Sequence, residues 1–222
     1  MSDLSLMYTR DGSPTLYSHR YDATYHSRHG AIQESQHVFI EAGLSILTDK
    51  NPIRILEMGF GTGLNALLTA LRIRNSDISI EYEALETIPL NQIQIEQLIT
   101  SLEPLLSDSN GLFRTMHEAQ WGTMTTIEEG FKLLKRNEDL ISAHFELGYD
   151  LVYYDAFAPS TQPELWTVQI FQKLFEAMSI GGALTTYCSK GDVRRAMITA
   201  GFEVEKIPGP PGKREMLRAI KG

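Results

Sequence analysis

Glu57-Met58-Gly59-Phe60-Gly61-Thr62-Gly63-Leu64-Asn65 closes one apolar run, Ile53-Arg54-Ile55-Leu56, and opens another. Glycines at such a junction let a buried strand turn tightly and bring its backbone close to a ligand while a helix begins. A pyrophosphate cofactor wants free amides and no carboxylate beside them, because it is itself negative. Glu57 stands just ahead of the first glycine, and the spacing is G-x-G-x-G rather than the dinucleotide G-x-G-x-x-G. A carboxylate there suits a ligand with a cationic amino group, as S-adenosylmethionine has. The plainer alternative is a turn that only packs strand on helix.

Two more carboxylates fall where strands should end. Glu86 lies 23 positions after Gly63, where an acid of this kind of fold accepts hydrogen bonds from both ribose hydroxyls of the cofactor. An exposed strand-end carboxylate is the alternative. Asp155 ends the run Asp150-Leu151-Val152-Tyr153-Tyr154 and precedes Ala156-Phe157-Ala158-Pro159. A buried strand delivers it to the C-terminal edge of the sheet, where α/β ligands bind. An alkylamine is protonated at neutral pH and must lose a proton before attacking a methyl group. Asp155 can orient such an amine and take that proton, with Phe157 and Pro159 as a stiff apolar lip for the substrate. An aspartate that merely fixes a loop is the alternative.

Lys213 and Arg214, in the turn Gly209–Glu215, should share that edge and could touch phosphate, or could form an exposed basic turn. His26, His29 and His37 are too irregularly placed for a metal site, so no metal is expected. Trp121 and Trp166 read as core anchors, with Trp121 in a region that could flank adenine.

The elements that must hold these residues alternate. Strands are expected near 53–58, 79–86, 112–118, 149–155, 182–188, 203–207 and 215–220. Helices fit near 63–74, 89–103, 123–136, 163–178 and 191–200. Pro89 suits a first helical turn, and Gly181-Gly182 and Gly201 suit helix ends. Alternation of this kind gives an α/β, Rossmann-like fold: a seven-stranded, mostly parallel sheet closed by an antiparallel C-terminal hairpin. This is the arrangement of class I S-adenosylmethionine-dependent methyltransferases. Ahead of that domain (51–222), residues 1–50 read as an extension packed on the core. It holds a hairpin around Asp11-Gly12 and a helical face over 31–47.

A chain of 222 residues that is 42% apolar and 22% charged has room for one such domain and a sizeable core. The first residues lack a signal peptide, no run is long enough to span a bilayer, and a lone cysteine, Cys188, excludes an internal disulfide. A cytoplasmic location is expected. The net charge of -8 is unlike the usual footprint of a nucleic-acid binder.

Taken in order, these stretches resemble the methyltransferase half of the MnmC family, which serves tRNA 5-methylaminomethyl-2-thiouridine biosynthesis. The resemblance rests on Gly59–Asn65, Asp155–Pro159, Pro163–Thr167, Gly181-Gly182, Val193–Arg195, Ala200–Phe202 and Lys213–Leu217, with Tyr25–Ser27, Gly30 and Glu34 upstream. It implies methyl transfer from S-adenosylmethionine to the aminomethyl nitrogen of 5-aminomethyl-2-thiouridine at the tRNA wobble position. It implies that Asp155 holds the acceptor amine. Glu57, Gly59, Phe60, Gly61, Gly63, Asn65 and Glu86 would hold the cofactor, and Tyr25 and Glu34 would shape the same pocket.

Two-domain members continue into a flavin-dependent oxidase. This chain stops at Gly222, so no FAD site is expected, and a separate enzyme would supply the aminomethyl intermediate. Residues 112–145 depart from the family pattern and leave the acidic adenine contact open, with Glu118 or the surroundings of Trp121 as candidates. The acidic chain would meet the anticodon region through a local basic face of Arg194, Arg195, Lys213 and Arg214. The alternatives are a methyltransferase or aminopropyl transferase acting on small amines, and a non-catalytic module that binds S-adenosylmethionine. A nicotinamide dehydrogenase fits worst, because Glu57 would face a pyrophosphate.

Overall fold

The computed structural model describes residues 3–47, 49–106, 109 and 111–222, so Met1 and Ser2 of the expected leaderless terminus lie outside it. Two sheets are present: a small one at the N-terminus and an eight-stranded one that forms the body. The small sheet is an antiparallel meander of β1 (Leu4–Tyr8), β2 (Pro14–Ser18) and β3 (Ala23–Thr24), with Leu4 opposite Ser18 and Tyr8 opposite Pro14. Residues 31–46 then coil as α1 (Ala31–Ser35), a π-helical turn (Gln36–Glu41) and a 3-10 turn (Leu44–Ile46).

The large sheet is built from β4 (Ile53–Met58), β5 (Ile80–Leu85), β6 (Thr125–Glu128), β7 (Phe131–Arg136), β8 (Tyr149–Tyr154), β9 (Met178–Thr186), β10 (Glu203–Pro208) and β11 (Glu215–Ile220). Its order is β10-β11-β9-β8-β4-β5-β7-β6. β7, β5, β4, β8 and β9 run parallel to their neighbours, while β11 is antiparallel to both β9 and β10, and β6 to β7. The helices are α2 (Leu64–Ile73), α3 (Gln92–Leu102), α4 (Leu112–Glu118), α5 (Val168–Ala177) and α6 (Gly191–Thr199).

Alternation along the central strands divides the core into two layers, since successive side chains of a strand point to opposite faces. Ile53, Ile55, Leu151 and Tyr153 join α2, α4 and residues 31–47 on one face. Leu56, Met58, Val152 and Tyr154 join α5 and α6 on the other. With helices on both faces, β8 is buried at every position, which is why it reads as a continuous apolar run.

Several expectations require correction. Residues 112–118 form a helix, not a strand, and bury Leu112, Phe113, Met116 and His117 at helical spacing. Residues 123–136 form the β6–β7 hairpin, not a helix, with Gly130 at φ 79 in its turn. The third parallel strand is therefore β7, and the sheet has eight strands instead of seven. α3 begins at Gln92, so Pro89 precedes the helix. Gly181 and Gly182 lie inside β9, after α5 has already ended at Ala177.

Candidate active site

The parallel strands deliver their C-terminal ends to one edge, and the loops there enclose a cavity of about 350 Å³. β4 feeds the glycine loop. Backbone amides of Gly59 and Phe60 donate to the Leu85 carbonyl at 3.1 and 2.9 Å, which pins the loop to the end of β5. Gly59 takes φ 91, a conformation that costs other residues dearly. Gly61 takes φ 52, and a side chain there would come within 2.9 Å of the Tyr25 ring. Both glycines are thus required by the backbone path and by the close approach of the N-terminal segment.

Beneath the loop, Glu57 is wholly buried and its Oε1 accepts a hydrogen bond of 2.9 Å from Asn65 Nδ2, in the first turn of α2. The same nitrogen donates to Asp155 Oδ2 at 3.0 Å. Burial pushes both carboxyls well above the usual carboxylate range. For Asp155 the nearby Glu34 adds to the rise, while Asn65 and Lys213 oppose it. For Glu57 the Asn65 bond opposes the rise and Asp155 adds to it.

Glu86, just past β5, accepts from the Gly61 amide at 2.9 Å and from the Ile88 amide at 2.8 Å. Its carboxyl is also raised by burial, against which these amides act.

The cavity brings together Tyr25, Gly59, Phe60, Gly61, Asn65, Glu86, Asp155 and Phe157 from the residues read in the sequence. Others stand behind it or away from it. Gly63 starts α2, and Glu57 underlies the cavity through Asn65. Glu34 is 7% exposed and accepts from the Ser27 amide at 2.8 Å and from Lys213 Nζ at 3.0 Å. The Lys213 ammonium, which also lies 3.9 Å over the Tyr187 ring, is ion-paired with Glu34 and stands outside the lining. Pro159 is part-buried outside the lining, and Arg214 is exposed.

The stretch after β7, missed in the sequence, contributes Glu138, Asp139, Leu140 and Ile141 to the lining. Asp139 Oδ1 accepts from the Ile141 amide at 2.8 Å, and Glu138 pairs with Arg136. Glu118 and Trp121 are not part of the lining. Glu118 pairs with Arg114 on the α4 surface, and Trp121 packs edge-on to Phe60 and faces the buried Lys135 ammonium at 4.9 Å.

The lining carries five carboxylates (Glu86, Glu138, Asp139, Asp155 and Glu164) against one permanent cation, Arg20. Asn65 Oδ1 is buried beside them without a hydrogen-bond partner. An acidic cavity with a spare acceptor fits a ligand that is cationic and carries N–H donors, and it repels a pyrophosphate. S-adenosylmethionine, with its ammonium and sulfonium, meets that description. Among the described residues no group of three or more His, Cys, Asp or Glu is placed to hold a metal ion, and no helix is long and apolar enough to cross a membrane.

Residues 127–222 match a family described as S-adenosyl-L-methionine-dependent methyltransferase. The chain is 33% identical over 215 residues to the tRNA 5-methylaminomethyl-2-thiouridine biosynthesis bifunctional protein MnmC of Nitrosospira multiformis, covering 91% of this chain and 35% of that protein. The Cupriavidus metallidurans protein of the same name is also 33% identical, over 94% of this chain and 32% of its own length. The chain thus spans about a third of the length of the curated relatives it matches. Among solved structures, MnmC2 from Aquifex aeolicus superimposes with a TM-score of 0.78 at 27% identity, over 99% of this chain and 71% of that one. Spermidine synthase from Thermotoga maritima shares the fold, with a TM-score of 0.56 at 14% identity over 99% of this chain and 69% of that one. The chain matches MnmC proteins over their methyltransferase part, and its residues 127–222 carry the match to the S-adenosyl-L-methionine-dependent methyltransferase family.

Proposed function

We propose that this enzyme methylates the aminomethyl nitrogen of 5-aminomethyl-2-thiouridine at the wobble position of tRNA, in the cytoplasm. The observation that carries the reading is the placement of Asp155. It sits on the cavity, at the end of a buried strand, tied through Asn65 to a second buried carboxyl.

When bound, S-adenosylmethionine supplies an electrophilic methyl group. The chain's own residues do the rest. Asn65, backed by the buried Glu57, would receive the cofactor's amino group, Glu86 its ribose hydroxyls, and the Asp139 stretch its adenine. Asp155 accepts a hydrogen bond from the acceptor amine and takes the proton that the amine must shed before its lone pair is free. Burial raises the Asp155 carboxyl, which narrows the gap to the amine and makes it a better base than an exposed aspartate. Phe157 and Tyr25, whose rings meet edge-on at 5.2 Å, confine the reacting groups and keep bulk water off them. A loop nucleotide such as the wobble base is cheaply unstacked, so it can enter a cavity of this size.

The test is methyl transfer from labelled S-adenosylmethionine to tRNA taken from a strain lacking the methylating step, followed by nucleoside mass spectrometry. The expected result is one added methyl on 5-aminomethyl-2-thiouridine. The acidic lining also suits a small polyamine, so free polyamines form the second arm. Turnover there with none on tRNA would replace this reading with small-amine transfer.

A further inference from the structure

The chain is acidic overall, yet its cations are unevenly committed. Of 20 lysines and arginines, Lys50, Arg54, Arg74, Arg114, Lys132, Arg136, Arg195, Lys206, Lys213 and Arg218 are ion-paired. Arg10, Arg20, Arg28, Arg72, Lys190 and Arg214 are exposed and form no ion pair among the described residues. Arg10 and Arg28 are brought together by the fold, and Arg20 lines the cavity.

The Arg10 amide donates to the Arg28 carbonyl at 3.0 Å, and the Arg10 guanidinium lies 3.5 Å from His29 Nδ1. The His29 ring packs so closely on Gly212 that a Cβ there would lie 2.5 Å from it, which brings the turn that carries Arg214, two residues on, against this segment. Residues 25–29 lead directly from this cluster to the cavity, which Tyr25 and His26 line. On the cavity mouth itself, the Arg20 guanidinium lies 5.3 Å over the Tyr21 ring, and Tyr21 faces Phe157 at 4.9 Å and 36°. Asp11 accepts from Thr9 and Ser13, and Asp22 from the Tyr17 hydroxyl.

We infer that the N-terminal lobe is the RNA-docking surface of this enzyme, with Arg10, Arg28 and Arg214 holding backbone phosphates and Arg20 with Tyr21 receiving the unstacked base at the cavity mouth. Unpaired guanidiniums beside an aromatic platform are what a single-stranded loop needs: charge to hold its backbone and a ring face to stack its base. The inference rests on the tRNA reading and changes its geography. Lys213 and Arg195 pair with Glu34 and Asp192, and Arg10, Arg20 and Arg28 of the N-terminal extension join Arg214 as cations without such a partner.

The experiment measures affinity of the whole chain for tRNA from a strain lacking the methylating step, across a salt series. Four proteins are compared: unaltered, Arg10→Gln/Arg28→Gln/Arg214→Gln, the same three positions as Lys, and Arg72→Gln. Arg72 is an exposed cation in the last turn of α2, near the opposite edge of the sheet. The triple Gln variant is expected to bind about tenfold or more weakly, with a salt slope shallower by about 2–3. The Lys variant should keep most of the affinity and Arg72→Gln all of it, with cofactor binding equal in all four as the check on folding. Steep, salt-dependent binding that the triple Gln variant retains in full would overturn this inference and leave the tRNA reading standing. Weak, salt-insensitive binding by the unaltered protein would overturn both.

Discussion

A single amide nitrogen, Nδ2 of Asn65, holds Glu57 at 2.9 Å and Asp155 at 3.0 Å. The residue that reaches the cofactor side of the cavity is thereby the one that aims the residue on the acceptor side. Both carboxyls are raised by burial, and each adds to or is steadied by what Asn65 does.

Removing that nitrogen leaves two buried carboxyls facing each other without their shared donor. Asn65→Ala should slow methyl transfer by roughly 10- to 100-fold, the scale of losing a buried hydrogen bond to a charged group. It should also move the acidic limb of the pH–rate profile upward, because Asp155 loses an interaction that favours its charged form. Single-turnover rates between pH 6 and 9 check both. An unshifted profile would show that Asn65 only packs.

Glu57 is kept where the empty fold does not want its charge. Its raised carboxyl means that the folded chain binds more protons than the unfolded chain above the ordinary value of 4.5, so stability falls as pH rises through that window. Glu57→Gln should therefore raise the melting temperature of the cofactor-free protein at neutral pH. The same change should weaken S-adenosylmethionine binding by about tenfold or more, since the carboxyl that backs Asn65 is replaced by an amide. Calorimetry on one preparation gives both numbers. A lower melting temperature with unchanged affinity would place Glu57 among purely structural residues.

Behind the glycine loop, His117 Nε2 donates to the Thr62 carbonyl at 2.9 Å, and burial pushes the ring down to about 4. A histidine held neutral in the folded state costs stability as pH falls from 6.5 toward 4, because the unfolded chain takes the proton first. By pH 5 this amounts to about 1–2 kcal/mol for His117. Urea unfolding of the unaltered protein and of His117→Phe, at pH 7 and pH 5, should show the variant losing less stability between the two. Equal losses would mean that His117 is already charged at pH 5.

Much of this site is legible in the sequence because backbone and burial leave marks there. The G-x-G-x-G turn, the strand-end Glu86 and the apolar run Leu151–Tyr154 leading to Asp155 all announce their positions. The stretch from 112 to 141 does not. In β7 the inward residues are Phe131, Leu133 and Lys135, and a buried lysine breaks the apolar alternation that identifies a strand. Lys135 is affordable only because its ammonium donates to the His117 carbonyl at 2.7 Å and lies against Phe60 and Trp121, all of them tertiary partners. With that strand hidden, the sequence points to Glu118 as an adenine-side acid, while the loop that lines the cavity begins at Glu138. The engagement of Lys213 by Glu34, 179 positions away, has no local signature at all.

The most direct measurement is the single-turnover rate of methyl transfer by Asp155→Asn, with S-adenosylmethionine prebound and 5-aminomethyl-2-thiouridine tRNA as acceptor. Asparagine keeps the shape and the cavity but cannot take a proton. A rate at least about 100-fold lower, with cofactor affinity within a few-fold of the unaltered protein, is the expected result for loss of a general base. An unchanged rate would contradict the central role given to Asp155.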